Sequence, residues 1–236
     1  MLNLIAKILA ALFKGTVPKP APVSKVMTTA ERMIRAAERC GAKIARGEGE
    51  VNIIYVEGAD FEDDPDSETF FKANGNAPNK WNDVRAVVMF DGGTPYIHSW
   101  WQATTEPGTR YTVQPINASG AARIKLGYQE CWQVGTHRGY EALAQWGNAV
   151  VVKRDKNKDY KRDGDAEGTG WYGINQHHGW DAPENNIGAN SAGCLVGRTI
   201  EGHREFMALV KTDPRYIANK KHVFGTTVIE AAELDA

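Results

Sequence analysis

Two adjacent histidines and a cysteine, all within Trp171–Arg198, have the types and spacing of a nucleophilic catalytic site. His177 and His178 are followed by a glycine and a polar loop, which ends in the motif Ser191–Cys194 (SAGC). A thiol is mostly protonated at neutral pH, and a neighbouring imidazole can accept its proton. A glycine directly before the cysteine lets backbone N–H groups turn toward a developing oxyanion. Cys194 is therefore the candidate nucleophile.

Either histidine could serve as the general base. If the strand-like run that starts at Trp171 continues through both histidines, alternate side chains point to opposite faces. Only one of His177 and His178 can then face Cys194. The adjacent Gly179 favours His178, whereas a one-residue bulge before the loop would give the role to His177. We place His178 first and keep His177 as the alternative.

The simpler interpretation of Cys194 is a buried structural cysteine, since cysteine is among the most buried residue types. Small residues before Cys194 leave its sulfur approachable, and the apolar residues after it can anchor a strand. The other cysteines are Cys40, in a predicted helix, and Cys131. Three widely spaced cysteines form no disulfide framework and no CxxC zinc signature. At least one thiol is free or paired between chains, which fits a reducing compartment or a thiol kept for chemistry.

Four further histidines suggest no metal site. His203 could bind zinc together with His177, His178 or Cys194, but the HxxxH and HExxH spacings do not occur. We interpret His98 and His137 as structural or rim residues and His222 as solvated. We predict no metal and no cofactor.

The charged segment 155–165 resembles a calcium loop in part. Asp155, Asn157 and Asp159 alternate as calcium ligands do. However, Tyr160 stands where such loops need glycine, and Ala166 stands where they carry glutamate. A solvated turn is the preferred interpretation.

The composition suits one large domain with attachments. The chain has 236 residues, with 28 basic and 29 acidic side chains and a net charge of −1. No basic excess indicates a nucleic-acid partner. We divide the chain into an apolar or amphipathic helix (1–14), a proline-rich linker (15–25) and one domain with its own first helix (26–236). The helix of residues 1–14 could dock on a membrane or a partner. No convincing cleavage site for a signal peptide follows it.

The remaining pattern predicts a β-rich α+β fold. A helix capped by Thr28 or Thr29 should run to about Arg46, and another should span 201–210. A short helix is expected near 140–146, and 60–79 should be an irregular excursion. The predicted strands are 51–56, 84–90, 96–105, a strand after the turn at 104–113, 121–131, 149–153, 171–176 and 223–229.

His178-Gly179, a loop and Ser191-Ala192-Gly193-Cys194 resemble the signature of the L,D-transpeptidase catalytic domain (YkuD-type). That signature is a His-Gly pair, a variable loop and Ser/Thr-x-Gly-Cys, and here 16 positions separate His178 from Cys194. Upstream, the turn around Thr105–Tyr111 is similar to the family's Thr-Pro-x-Gly-x-Phe/Tyr segment, with Glu106 inserted between Thr and Pro. The resemblance covers about residues 84–198. It implies a mixed β-sandwich or barrel with a few helices.

The resemblance also implies roles for individual residues. Cys194 would attack a carbonyl in a peptidoglycan stem peptide and form a thioester, with a histidine as general base. Gly193 and Cys194 would donate backbone N–H groups to the oxyanion, and Ser191 belongs to the same motif. Activity would then be located at the cell wall. The candidate substrate-binding residues are Arg198, Trp180 and Asn186.

The chain departs from the family pattern at two positions. Ala192 stands where the family often has histidine, and Val196 stands where it usually has arginine; Arg198 is the nearest arginine. Hydrolysis, as in a lysin or carboxypeptidase, and transpeptidation both stay open. The alternative from another class is a catalytically inactive cell-wall-binding or virion-associated structural module.

Overall fold

The fold is known from a computed structural model, in which residues 26–62 and 70–236 are described. The predicted helix of residues 1–14, its docking role and the linker of 15–25 lie outside the described residues. The chain is β-rich with a few helices, 38% strand and 18% helix, which confirms the α+β, β-rich class. No helix in the described ranges is long and apolar enough to cross a membrane.

The described chain contains thirteen strands and four α-helices, followed by a 3₁₀ turn at Ala231–Leu234. The strands are β1 (Asn52–Glu57), β2 (Ala59–Phe61), β3 (Phe71–Ala73), β4 (Asp83–Asp91), β5 (Thr94–Thr104), β6 (Ala121–Ile124), β7 (Gly127–His137), β8 (Tyr140–Gln145), β9 (Val150–Asp155), β10 (Ala166–Gly170), β11 (Gln176–His178), β12 (Leu195–Gly197) and β13 (Phe224–Glu230). The helices are α1 (Thr29–Arg39), α2 (Thr109–Val113), α3 (Ile200–Val210) and α4 (Pro214–Ala218).

Eight strands close a barrel in the order β1-β13-β7-β8-β11-β12-β5-β4. β1 with β13 and β11 with β12 pair in parallel, and β4 with β5 and β7 with β8 pair antiparallel. The strands β10, β9 and β6 form a separate three-stranded sheet, and β2 pairs with β3. The candidate site lies where β11 and β12 meet, next to the three-stranded sheet.

Strand β1 is buried on both faces, which explains its continuous apolar sequence. Ile53 and Tyr55 belong to the larger core cluster, which also contains Phe206 of α3. Ile54 belongs to a second cluster, in which α1 packs through residues such as Met33. The barrel wall therefore separates two apolar cores.

Helix α1 begins as the sequence predicts and ends earlier. Thr28 and Glu31 form a capping box at its start. The helix stops at Arg39, and Gly41 follows with φ +77°. The Ala42 N–H then donates to the Ala37 carbonyl at 3.0 Å, as in a Schellman motif. The predicted end near Arg46 is wrong, because this glycine reverses the chain.

The hairpin of β4 and β5 is confirmed. Gly92 and Gly93 form its two-residue turn with φ +52° and +85°, as a type I′ turn requires. The expected helix at 201–210 and the strands at 149–153 and 223–229 are also present, with ends shifted by at most two residues.

The helix expected near 140–146 is wrong, since Tyr140–Gln145 is strand β8. Arg138 and Gly139 have φ +52° and +84° and turn the chain back tightly, so that β8 pairs with β7 along its length. Tertiary pairing here overrides the helix propensity of alanine, leucine and glutamate.

Four other predicted elements differ. The strand expected at 121–131 divides at Gly127 (φ +106°) into β6 and β7, which belong to different sheets. No strand follows the turn at 104–113 before β6, and the end of that turn forms the short helix α2. The run 171–175 is not a strand, and β11 begins at Gln176. Within 60–79, short strands β2 and β3 pair with each other.

Candidate active site

Strand register places His177 and Cys194 on one face of the barrel wall. β11 and β12 are parallel, with Gln176 opposite Leu195. Both of these side chains point inward, because Gln176 Nε2 donates to Thr226 Oγ1 at 2.8 Å and Leu195 belongs to the barrel core. Since side chains alternate, His177 and Cys194 both point outward.

Two clefts on this outer face meet at Cys194. The first, cleft A, has a volume of about 50 Å³ and is lined by Tyr111, His137, Arg138, His177, Trp180, Ala189, Asn190, Ala192 and Cys194. The second, cleft B, has a volume of about 180 Å³ and is lined by Tyr111, Ile116, Asn117, Gly120, Ala121, Ala122, Arg154, Tyr172, Gly173, Ile174, Ala192 and Cys194.

The Cys194 thiol is held by backbone groups. It donates to the Gly173 carbonyl at 3.5 Å and accepts from the Asn175 N–H at 3.4 Å. Burial raises its pKa to about 11, although the Asn175 N–H and the charge of Arg138 act in the opposite direction. No imidazole of the described residues forms a hydrogen bond with this sulfur. The resting thiol is therefore protonated at neutral pH.

His177 is positioned as a neutral base. Its Nδ1 lies 2.8 Å from the His178 carbonyl oxygen, which can only accept, so Nδ1 carries the proton. Nε2 then has the free lone pair. Unlike Nε2 of His178, it is not buried away from solvent. The ring stacks on His137 at 4.2 Å. Burial, followed by the neighbouring His137, lowers the pKa of His177 to about 3.

His178 points the other way, toward the barrel interior. Its Nδ1 accepts the Trp180 N–H at 3.3 Å, and its Nε2 is buried with no partner among the described residues. Its ring packs against His203 and Tyr140 and lines neither cleft. The expected alternation is present, and His177, the alternative candidate for the base, is the histidine that lines a cleft. No bulge is needed, because β11 simply starts at Gln176.

Ser191 and Gly193 shape the turn before the nucleophile. The Ser191 hydroxyl donates to the Cys194 carbonyl at 2.9 Å and accepts the Gly193 N–H at 3.1 Å. Gly193 has φ +125°, and a Cβ there would lie 2.4 Å from the Ala122 carbonyl oxygen. The Gly193 N–H is thus occupied, whereas the Cys194 N–H forms no hydrogen bond within the described ranges.

Only one of the three predicted substrate-binding residues lies at the clefts. Trp180 lines cleft A, with φ +53°. Arg198 Nη1 donates to the Ala182 carbonyl at 3.1 Å and Nη2 lies 3.6 Å from Glu184, so this arginine secures the loop after β11. Asn186 also fastens that loop, accepting from Asn79 Nδ2 at 3.0 Å.

His203 is a core residue. Its Nδ1 lies 3.2 Å from Arg85 Nη1, and its Nε2 lies 3.0 Å from the Glu141 carbonyl oxygen. Burial and the charge of Arg85 lower its pKa to about 2. Across residues 26–62 and 70–236, no group of three or more His, Cys, Asp or Glu side chains is arranged to hold a metal ion. Cys40, Cys131 and Cys194 are all free thiols.

The loop 155–165 lies between β9 and β10 and closes on itself. Asp155 is fully buried and accepts the N–H groups of Asp159 and Tyr160, both at 3.1 Å. Tyr160 takes φ +64°, the conformation that a glycine would adopt in a calcium loop. Within this loop, backbone groups satisfy the Asp155 carboxylate.

Sequence reasoning missed three residues that line the clefts, and it described a fourth, His137, as a structural or rim residue. His137 and Arg138 arrive through the β7–β8 hairpin, Arg154 through β9, and Tyr111 through α2. The Arg-Gly pair at 138–139 was a turn signal beside a histidine, and it could have indicated the hairpin. Tyr111 ends the segment Thr105–Tyr111 that resembles the family's motif, which was a signal for it, whereas Arg154 carried no local signal. Trp81 was also missed, although it is fully buried and packs with Cys194 and Val196.

No protein-family model and no curated protein sequence matches this chain. The fold and the site together define a β-rich barrel protein with a cysteine and a histidine in one outer cleft.

Proposed function

We propose that this protein is a cysteine-nucleophile enzyme of the L,D-transpeptidase type, acting on peptidoglycan stem peptides through a thioester. The observation that carries the proposal is the placement of Cys194 and His177 on one face and in one cleft. The proposal also rests on the His-Gly…Ser-x-Gly-Cys pattern in the same segment. The family's specific fold is part of the proposal.

His177 is the general base of the proposed reaction. The Cys194 thiol is neutral at rest, and the imidazole of His177 is also neutral at neutral pH. As Sγ attacks the peptide carbonyl carbon, Nε2 accepts the thiol proton. The C–N bond then breaks, the leaving amine takes that proton, and a thioester forms. Transfer occurs during the attack, since the resting site holds no thiolate.

The His178 carbonyl orients the base. Its hydrogen bond to Nδ1 fixes the tautomer of His177 in the way that a third group does in a catalytic triad. The stacked ring of His137 prevents His177 from tilting. The Cys194 N–H is the backbone donor left for the oxyanion, because the Gly193 N–H is bound to Ser191.

The thioester is resolved by water in a hydrolase or by an amine in a transferase. Cys194 borders two clefts, so that an acyl chain in one leaves a second route to the sulfur. This arrangement suits both reactions. Hydrolysis of a stem peptide or cross-link and formation of a cross-link are both retained within the proposal.

A second candidate function is a non-catalytic cell-wall-binding or virion-associated module. The observation that favours it is the resting state of Cys194, whose sulfur bonds only to the backbone of Gly173 and Asn175 within the described chain. A raised pKa is also typical of structural cysteines.

The test compares wild type with Cys194→Ala on purified sacculi, with mass analysis of the released muropeptides. We expect wild type to release or join stem peptides and Cys194→Ala to lose at least about 10³-fold in rate. Cys40→Ala is the matched control, since this partly exposed thiol lies far along the chain in the cap of α1. Equal activity of wild type and Cys194→Ala, or no activity in either, contradicts the proposal. Binding to sacculi without any change in muropeptides would favour the non-catalytic module.

A further inference from the structure

Cleft B contains a buried arginine without a carboxylate partner. Arg154 is 9% exposed, and its guanidinium lies 4.4 Å from the ring centre of Tyr172. It lines cleft B together with Cys194. None of the described acidic side chains forms an ion pair with it.

The other arginines with little exposed surface in the described chain lie in different surroundings, and Arg85 Nε and Arg123 Nε and Nη1 also lack hydrogen-bond partners there. Arg123 pairs with Glu106, and Arg162 pairs with Glu57. Arg85 is sealed inside the barrel, where it contacts His203 and the Gly202 carbonyl oxygen, and it lines no cleft. Arg154 alone of this group combines burial, a missing anion and access to a cleft.

The Arg154 nitrogens open onto the cleft, since none of them is a fully buried atom without a partner, and a carboxylate that enters the cleft can bind them. The Tyr172 ring supplies a cation–π contact, and the guanidinium hydrogen-bond donors are left unused by the described residues. A planar fork of N–H donors matches a carboxylate in geometry and in charge. Asn117, on the same cleft, adds a neutral hydrogen-bonding group.

We propose that cleft B is a carboxylate-binding subsite, in which Arg154 binds a carboxylate of the peptide next to the bond attacked by Cys194. This inference rests on the proposed function for the identity of the peptide. The carboxylate has two sources: the free C-terminus of the peptide or an acidic side chain on it. Arg154 is thereby a specificity-determining residue that selects anionic substrates.

The test uses the alkylation of Cys194 by anionic iodoacetate and by neutral iodoacetamide, quantified by peptide mass mapping. Both reagents are attacked by the same sulfur and lose iodide, so the ratio of their rates isolates the effect of the carboxylate. At about pH 9 we expect Arg154→Gln to lower the iodoacetate-to-iodoacetamide ratio about tenfold, as the loss of one charged hydrogen bond predicts. Arg154→Lys should retain most of the ratio.

Two further variants make the result specific. Lys153→Gln removes one positive charge from the same strand outside both clefts, where Lys153 pairs with Glu167, and its ratio should equal that of wild type. Arg138→Gln removes the guanidinium of cleft A. An unchanged ratio in Arg154→Gln, or an equal fall in Lys153→Gln or Arg138→Gln, overturns the proposal. If neither reagent labels Cys194 in wild type, the sulfur is unreachable and the proposal is also overturned.

The outcome is separable from that of the proposed function, because alkylation needs no turnover. Activity on sacculi with an unchanged ratio would reject only the carboxylate subsite, and a changed ratio without activity would reject only the reaction. If Arg154→Gln does not fold, as judged by circular dichroism, the test is the protection of Cys194 in wild type from alkylation by small competing ligands. Acetate should then slow labelling by iodoacetate more than acetamide does at equal ionic strength, and equal effects overturn the proposal.

Synthetic peptides distinguish the two sources of the carboxylate. One pair differs by amidation of the C-terminus, and a second pair differs by amidation of an acidic side chain. Binding to Cys194→Ala should weaken about tenfold for the amidated member of one pair, and Arg154→Gln in that background should abolish the difference. Equal binding of both members in both pairs overturns the proposal.

Discussion

At the scale of residues, hydrogen bonds distinguish two histidines that are neighbours in the chain. The His178 carbonyl fixes the proton of His177 on Nδ1, which leaves Nε2 as a base. The Trp180 N–H donates to Nδ1 of His178. The protonated Nε2 of His178 is buried without a partner among the described residues. A base needs an accessible lone pair near its substrate. His177 has one, and His178 does not.

Asparagine substitutions separate these two roles. In His177→Asn the amide can still donate to the His178 carbonyl, but no base is left. We expect its rate on sacculi to fall about 10²–10⁴-fold, the usual contribution of a general base. In His178→Asn the amide oxygen can still accept the Trp180 N–H, so its rate should fall far less. Muropeptide release at saturating enzyme measures both, and a larger loss in His178→Asn would contradict the assignment.

At the scale of elements, the parallel pairing of β11 with β12 brings the cysteine to the histidine. β11 and β12 have three residues each, and their pairing places His177 of β11 and Cys194, directly before β12, on the outer face. Parallel neighbours require a long connection, which the loop between them provides. Trp81 packs under that loop, where a Cβ at Gly179 would lie 2.3 Å from its ring.

Gly193 is the backbone position on which the site depends most. Alanine there meets both a positive φ and the Ala122 carbonyl oxygen at 2.4 Å. Gly164 has φ +77°, and no atom of the described residues lies within 4 Å of the place that its Cβ would take, so it is the matched control with strain alone. We expect Gly164→Ala to cost about 1–2 kcal/mol of unfolding free energy and Gly193→Ala about 1–3 kcal/mol more. Urea unfolding measures both, and equal losses would show that the contact with Ala122 is not rigid.

At the scale of the whole molecule, a buried charge cluster joins the barrel to the three-stranded sheet. Glu57 of β1, Asp83 of β4 and Glu106 face Arg123 of β6 and Arg162 of the charged loop. Arg162 Nη1 donates to Glu57 Oε2 at 2.8 Å. Three carboxyl groups therefore face two guanidinium groups, and one proton would make the cluster neutral.

The geometry indicates where this proton is shared. The Thr105 hydroxyl contacts both Glu57 and Asp83, with Asp83 Oδ2 at 2.9 Å, but it has a single proton to donate. One of the two carboxyl groups must donate in return. Burial, followed by the charges of Glu57 and Glu106, raises the pKa of Asp83 to about 8. Burial also raises the pKa of Glu106 to about 7, against the charge of Arg123, so Asp83 holds most of the shared proton at neutral pH.

This proton makes stability depend on pH. The pKa of Asp83 is about 8 in the folded state against 3.8 for the free group, so the folded protein binds a proton that the unfolded chain releases. The contribution of Asp83 is fully present below about pH 4 and is lost as the pH rises toward 8, by at most about 1.4 kcal/mol per pH unit. Urea unfolding of wild type and Asp83→Asn across this range measures it. The stability of wild type relative to the variant should fall as the pH rises, and a constant difference would contradict the shared proton.

The sequence by itself determined the β-rich class, the first helix cap, the β4–β5 hairpin and helix α3. Each of these depends on local chemistry: Thr28 and Glu31 cap a helix, and Gly92-Gly93 forms a turn. The sequence also predicted that His177 and His178 face opposite ways, because alternation is local. These features were predictable since neighbouring residues cause them.

Tertiary structure decided which histidine shares a cleft with Cys194. That choice depends on the register of β11 against β12, and no signal in either three-residue strand encodes it. Tyr140–Gln145, which was expected to be a helix, forms β8 because it pairs with β7. The turn between these strands places Arg138 at cleft A. Arg154 reached Cys194 through a different sheet, from 40 positions earlier in the chain. Contacts between residues so far apart arise only when the whole chain folds, because packing between sheets, and not local preference, fixes them.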